Sequence, residues 1–345
     1  MSTDPQGLDT AIVAEWLSSV APGAVAGPFE ATLITGGKSN LTYLVTDGVH
    51  EYVVRRPPLG HVLATAHDMG REYRIMDALR STAVPVPTMV ALCDDADVIG
   101  APFYVMQKVA GTPYSRAEQL APLGADRTRA ITERMVDTLA TLHAVDYRAA
   151  GLGEFGRPDG YLRRQVSRWK KQLAASSTRE LPGMDQLVEH LDRNVPTGGE
   201  GTIVHGDYRL DNLLVDTDPV TGEDTVTAVL DWEMSTLGDP LTDVAVMLAY
   251  QQLAETSPAS GTVVTDAPLA PGYLDREAVL ARYAAASGRD VSDIGYHLSL
   301  AFFKLAVILE GISFRHSQGQ TVGAGFDGIG EMIVPLIDAG RAASR

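Results

Sequence analysis

The feature that most constrains this chain is a change of apolar period part-way along it. Ahead of residue 110, apolar side chains alternate in short runs: FEATLIT (29–35), NLTYLVT (40–46), EYVVRR (51–56), MVALCDD (89–95) and PFYVMQKV (102–109). Alternation of that kind specifies half-buried strands. A helical pattern precedes them at 9–20, with Asp9 as its cap. Another is inserted at 64–80, where Met69, Tyr73, Met76 and Leu79 share a face. Asp47–Gly48 is expected to supply the positive φ angles of a hairpin turn between 46 and 51. Past GTP (111–113) the spacing becomes helical, at 125–145, 158–174, 181–194, 239–254, 275–287, 292–315 and 324–343. Strand-like stretches interrupt these helices only at the flanks of IVHGDYRLDNLLVD (203–216) and at TVTAVLDWE (225–233). Such a chain is α+β and bilobal, with a small antiparallel β-rich lobe and a larger helical one. The expected division is 1–107 for the first lobe, 108–111 for a hinge and 112–345 for the second. A cleft between such lobes is the default place for a small-molecule site. The loop at 255–272, rich in Ser, Thr, Pro and Gly, is long enough to be functional.

Charge narrows the partners. There are 28 basic and 44 acidic residues, a formal net charge of −16. That argues against a nonspecific grip on nucleic acid or an anionic membrane, while leaving room for a locally basic cleft. The single cysteine, Cys93, excludes an internal disulfide and reads as a small buried hydrophobe in a reducing cytoplasm. No apolar run approaches the ~20 residues of a membrane span. The polar start MSTDPQGLDT reads as no signal peptide, so the expected location is cytoplasmic.

The polar insert HGDYRLDN between two apolar runs is too charged for a core unless something holds it. Asp207 and Asn212 share this loop, and Asp231 ends a strand expected to pair with 211–216. That hairpin would bring two carboxylates and an amide oxygen together. An oxygen-only set with few carboxylates suits Mg²⁺, which keeps several waters and usually also binds substrate phosphates. A carboxylate left off the metal can accept a proton from an attacking hydroxyl. The residue types therefore suggest phosphoryl transfer, where catalysis is mostly positioning and charge neutralisation.

HGDYRLDNLLV followed by VLDWEMSTLGDPLTDVA resembles the catalytic and metal loops of the aminoglycoside phosphotransferase (APH)/choline kinase family, small-molecule relatives of protein kinases. The branch most resembled is the kinase-like domains fused to acyl-CoA dehydrogenases. GGKSNLTY, VVRRPP, REYRIMDAL and FYVMQKVAGTP extend the resemblance over about residues 30–315. It implies a protein-kinase-like fold, ATP and Mg²⁺ as cofactors, and a small-molecule hydroxyl as acceptor. Asp207 would be the catalytic base, and Asn212 and Asp231 the metal ligands. Gly37 and Ser39 would lie in a turn over the phosphates. Arg55 would reach the α/β-phosphates, because it alternates with Val53 on the pleat, although a one-residue slip would favour Arg56. Glu72 would be its partner, and Gln107 and Val109 would bind adenine through the backbone. His205 reads as a loop brace, Asp239 as a helix N-cap ahead of Pro240, Asp243 as a brace for the catalytic loop and His143 as a satisfied buried histidine. Tyr208, Arg209, Trp232 and Glu233 are candidate acceptor contacts, to which the late helix adds Phe303, Lys304, Glu310, Arg315 and His316. The acceptor itself stays open among a hydroxyacyl-CoA or related metabolite, which would link the chain to acyl-CoA metabolism, an aminoglycoside, and an amino alcohol. A non-catalytic nucleotide-binding role is the remaining alternative.

Overall fold

The computed structural model describes residues 4–34, 40–59, 68–176, 179–197, 199–256, 265–319 and 328–343. They fall into two compact units: Met1–Gly111 with Thr227–Glu233, and Thr112–Val226 with Met234–Arg345.

In the first unit, Asp9 caps α1 (Thr10–Val20) by accepting the Ile12 N–H. Five strands follow: β1 (Glu30–Leu33), β2 (Leu41–Thr46), β3 (Glu51–Arg56) and, after α2 (Met69–Leu79), β4 (Met89–Cys93) and β5 (Phe103–Gln107). They form one antiparallel sheet in the order β1-β2-β3-β5-β4. One face carries Tyr43, Val45, Val54, Phe103 and Val105, buried with Val13 and Leu17 of α1. Because side chains alternate along a strand, Val53, Arg55, Tyr104 and Met106 point to the opposite face, and α2 packs on β4 and β5. The pleat thereby separates the two adjacent arginines. The Arg56 guanidinium goes to the α1 side, where it donates to the carbonyls of Gly7, Ile99 and Pro57. The segment 227–233, expected in the helical lobe, belongs to this unit. Val229 N–H bonds Pro85 O, and Thr227 Oγ1 bonds Ala110 O.

Local differences have local causes. Thr46 pairs with Glu51, so the hairpin turn has four residues. Only Gly48 takes a positive φ (+84°), while Asp47 instead accepts the N–H groups of Ala26, Val49 and His50. Those backbone donors hold the Asp47 carboxyl far below the usual carboxylate range. Helix α2 begins at Met69, because extended Asp68 caps it by accepting the Arg71 N–H. The rest of its predicted first turn, 64–67, lies outside the described residues.

The second unit is mainly helical. It contains α3 (Ala117–Leu120), α4 (Ala125–His143), α5 (Tyr161–Ser176) and α6 (Met184–Arg193). The strands β6 (Thr202–Val204), β7 (Leu213–Thr217), β8 (Asp224–Val229) and β9 (Thr236–Gly238) come next, β8 running on into the first unit. The helices α7 (Leu241–Thr256), α8 (Arg276–Ser287), α9 (Ile294–Ser317) and α10 (Ile333–Ala343) complete it. Strand β7 pairs with β8, as the loop pattern predicted, but β8 stops at Val229, two residues before Asp231. Strand β6 pairs with β9, a short strand the sequence did not announce. Helix α9 packs against α5, α6, α7 and α10. It corrects the reading that no segment is long and apolar enough for a membrane span: its 24 residues include an 18-residue window of mean hydropathy 1.5, of which 72% is buried inside the unit. A core helix meets the same test.

Candidate active site

In the second unit, β6 delivers the chain to His205–Gly206–Asp207, and its partner β9 delivers it to Asp239 and α7. Asp239 accepts the Leu241 N–H at 3.0 Å, starting α7 after Pro240. One turn later Asp243, fully buried, accepts the N–H groups of His205 and Gly206, each at 2.7 Å. His143 Nε2 faces the same carboxylate at 3.2 Å, and its Nδ1 lies 2.7 Å from the Tyr283 hydroxyl. Burial opposes the charge of Asp243, yet His143, His205 and the Gly206 N–H outweigh it and hold the carboxyl below its usual range. Gly206 has φ +89°, and a Cβ there would lie 2.7 Å from the Met234 carbonyl oxygen, so no other residue fits.

Asp207 follows this pinned glycine. Its own N–H donates to His205 Nδ1 at 3.3 Å. Asn212 Nδ2 donates to the Asp207 carbonyl at 2.8 Å and to its carboxylate at 3.3 Å. Arg209 bridges Asp207 (3.5 Å) and Asp211 (2.9 Å) and stacks over Tyr250 at 4.5 Å. The side chain of Asp207 keeps 21% of its surface exposed. Tyr250 hydrogen-bonds Asp207, and burial followed by that negative charge keeps its hydroxyl protonated far above the ordinary tyrosine range.

The first unit holds a second constellation. Arg55 Nη2 lies 2.6 Å from Asp231 and 3.8 Å from Glu233, and Nε lies 3.1 Å from Glu72. Tyr104, opposite Arg55 in the β3–β5 register, donates its hydroxyl to Glu72 at 2.9 Å. Asn40 donates Nδ2 to both Glu72 (3.3 Å) and Glu233 (3.2 Å). One guanidinium thus serves three carboxylates. Burial works against its charge, but Tyr104 and the three acids raise its pKa above the ordinary value. Glu72 is the most buried of these three acids, and burial pushes its pKa up to about 7 against the pull of Arg55. Asp231 sits at φ +64°, the one non-glycine with positive φ among the described residues. Asp tolerates that region better than most residues, and such outliers concentrate at functional sites.

The remaining candidates scatter. Gln107 ends β5, with its N–H on Thr88 O, and Val109 lies two residues further on, half-buried. Gly37 and Ser39 lie outside the described residues. Glu233 faces Asn40 and Arg55, in the constellation of the first unit. Tyr208 is corrected from acceptor contact to core: it is fully buried and donates its hydroxyl to Met135 O at 2.8 Å. Trp232 is equally buried, with Nε1 on Val229 O. Arg315 is exposed on the last turn of α9, and Lys304, grouped with it by sequence, is buried and donates to Gly206 O at 2.6 Å. The helix rises about 16 Å between the two. Tyr104 and Tyr250 received no role from sequence, and Asn40 only a place at the end of the glycine-rich turn. For Tyr104 the signal was available, since its strand position faces the same side as Arg55 once the register is known.

The family model described as "Phosphotransferase enzyme family" (APH) matches residues 30–290. Mouse acyl-CoA dehydrogenase family member 10 is 37% identical over 309 residues, covering 86% of this chain and 28% of that protein. Human acyl-CoA dehydrogenase family member 11 is 34% identical over 325 residues, covering 92% and 40%. The chain therefore spans well under half the length of these relatives. A candidate aminoglycoside phosphotransferase from Ralstonia eutropha, known from a crystal structure, shares 35% identity with a TM-score of 0.82, covering 97% of this chain and 98% of that one. The GDP complex of aminoglycoside 2'-phosphotransferase-IIIa aligns with a TM-score of 0.62 over 98% and 100% at 15% identity, a likeness of fold alone. With its five-stranded antiparallel sheet, its helical second unit and these matches, the chain has a kinase-like α+β fold and belongs to the APH phosphotransferase family.

Proposed function

We propose that the chain transfers the γ-phosphate of ATP to a hydroxyl of an anionic small molecule, of the hydroxyacyl-CoA kind. The observation that carries this reading is Asp207: a carboxylate one-fifth exposed, oriented by Asn212, on a turn clamped by Asp243. Asp207 accepts the hydrogen bond of the attacking hydroxyl and takes its proton. The acceptor oxygen then bonds phosphorus, and the bond from phosphorus to the bridging oxygen of ADP breaks. Arg55, with its fixed fork of donors, takes the α/β-phosphates, and Glu72 and Tyr104 hold it in place. The backbone at Gln107 and Val109 takes the adenine.

Asn212 and Asp231 are assigned as magnesium ligands, and the donor chemistry fits. Asn212 commits its Nδ2 to Asp207, which leaves its amide oxygen to offer, and the Asp231 carboxyl is 30% exposed. Among the described residues no group of three or more His, Cys, Asp or Glu is arranged to hold a metal. When bound, magnesium supplies charge neutralisation on the phosphates.

Support for an anionic acceptor comes from α5. It carries Arg163, Arg164, Arg168, Lys170 and Lys171 and no acidic residue, in a chain of net charge −16. Arg163, Arg164, Arg168 and Lys171 are exposed, and Trp169 of the same helix lies 5.8 Å from the Lys304 ammonium that bonds Gly206. A helix with this excess of cations attracts phosphate groups and repels polycations. The relatives named acyl-CoA dehydrogenase family members point the same way.

The test is ADP release from MgATP with a panel of hydroxyacyl-CoAs, sugars, amino alcohols and aminoglycosides. Hydroxyacyl thioesters should stimulate release, and Asp207→Asn should cut turnover by about 10²–10⁴-fold while retaining MgATP binding. Wild-type turnover in that variant would remove Asp207 as the base. The second reading, an aminoglycoside acceptor, is favoured by the 35%-identical Ralstonia eutropha structure, described as a candidate aminoglycoside phosphotransferase. Raised kanamycin tolerance on expression in a sensitive bacterium would establish it over the first.

A further inference from the structure

We propose that Lys304 is a positioning residue for the catalytic turn, fixing the Gly206–Asp207 peptide from α9 and thereby aiming the Asp207 carboxylate. This rests on the reading of Asp207 given above. Lys304 lies in the middle of an apolar core helix, flanked by the fully buried Phe303 and the buried Leu305. Lysine is almost never found so buried without a partner, because desolvating an ammonium is costly. Packing alone does not call for it, since Met would fill a similar volume without the charge. Its ammonium goes to Gly206 O at 2.6 Å and lies 5.8 Å from the centre of the Trp169 ring.

That carbonyl belongs to the peptide unit whose N–H is that of Asp207, and this N–H donates to His205 Nδ1. Lys304 and His205 therefore hold the two ends of one peptide plane. The preceding peptide is held by the opposite charge, since Asp243 accepts the Gly206 N–H at 2.7 Å. A glycine at φ +89° has wide conformational freedom, and this anion and this cation remove it. Burial lowers the pKa of Lys304, while Asp207 and Asp243 act to keep it charged. The lysine thus places a cation beside the proposed base as well as a donor on its backbone.

The experiment compares wild type, Lys304→Met and Lys304→Ala. Lys304→Met should fold with unchanged or higher urea resistance, lose 10- to 100-fold in kcat and leave the KM for MgATP unchanged. Amide hydrogen exchange at residues 205–207 should accelerate. Methylammonium should restore turnover to Lys304→Ala, and tetramethylammonium, which cannot donate, should not. Turnover within twofold of wild type together with unchanged exchange at 205–207 would overturn the proposal, as would equal responses to the two cations. Exchange needs no substrate. Wild type inactive on every acceptor, with exchange still accelerated by Lys304→Met, would refute the functional reading and keep the positioning one.

Discussion

Replacing Asp243 by Asn exchanges one oxygen for an amino group at the point where the turn carrying Asp207 is anchored. The side chain is fully buried, and its two oxygens accept the His205 and Gly206 N–H groups at 2.7 Å each while facing His143 at 3.2 Å. An asparagine oxygen can serve one of those amides, and its amino group then confronts the other, donor against donor. Losing one charge-assisted hydrogen bond removes about 1.5–3 kcal/mol, and a buried N–H without an acceptor adds about 1–3 kcal/mol. The expected destabilisation is therefore about 3–5 kcal/mol, the range found when one partner of a buried ion pair is removed. Against a typical stability of about 5–15 kcal/mol, the variant still folds, with its urea midpoint lowered by about 1–2 M. The released turn also misplaces Asp207, and an error of about 1 Å is enough for a 100-fold loss of turnover. Turnover per folded molecule should thus fall further than the folded fraction does. The pH dependence has a definite sign. The folded-state carboxyl of Asp243 lies below its usual range. Its stabilisation is therefore complete above the unfolded value near ~3.9 and is lost as pH falls through the lower folded one. Urea titrations from pH 3 to 8 should show a constant gap between wild type and variant above about pH 5, closing only in acid. A gap under about 1 kcal/mol at pH 7, or one that widens in acid, would refute the assignment of Asp243 as the anchor.

Three other substitutions test the first unit. Glu72 has the opposite sign: its folded pKa is raised to about 7 from 4.5, so the stability it confers falls as pH rises through that interval and stays lost above it. Glu72→Gln should abolish this slope, narrowing its deficit or overtaking wild type by on the order of 3 kcal/mol between pH 5 and pH 8, while raising the KM for MgATP; parallel stability profiles in urea would contradict it. Arg55 and Arg56 should separate cleanly. Arg56→Gln loses donors to the Gly7 and Ile99 carbonyls and should cost about 2 kcal/mol or more in thermal unfolding with the KM for MgATP unchanged. Arg55→Gln should raise that KM at least tenfold, and the reverse pattern would mean that the phosphate contact belongs to the other arginine.

Much of this architecture is written locally. Period-2 runs gave the five strands of the first sheet, and helical periods gave the longer helices of the second unit, because burying one face of an element imposes its own repeat on the sequence. Element ends were less legible. Asp47 and Asp68 resolved theirs through side-chain bonds to backbone amides, a choice among turn geometries that composition does not fix. Strand β9 was missed because three residues carry too little pattern to be heard beside the helix start that follows.

The motifs marked Asp207, Asn212 and Asp231 as candidates for the chemistry, since a charged insert between apolar runs needs a reason to be there. Three assignments awaited the tertiary structure. Glu233 joins the arginine of the first unit, Tyr208 belongs to the core, and Lys304 reaches from a distant helix to the glycine beside Asp207. A sequence records which side chains can carry charge and how often they recur. Which buried charge faces which backbone group depends on contacts between segments nearly a hundred residues apart, and only packing brings those together.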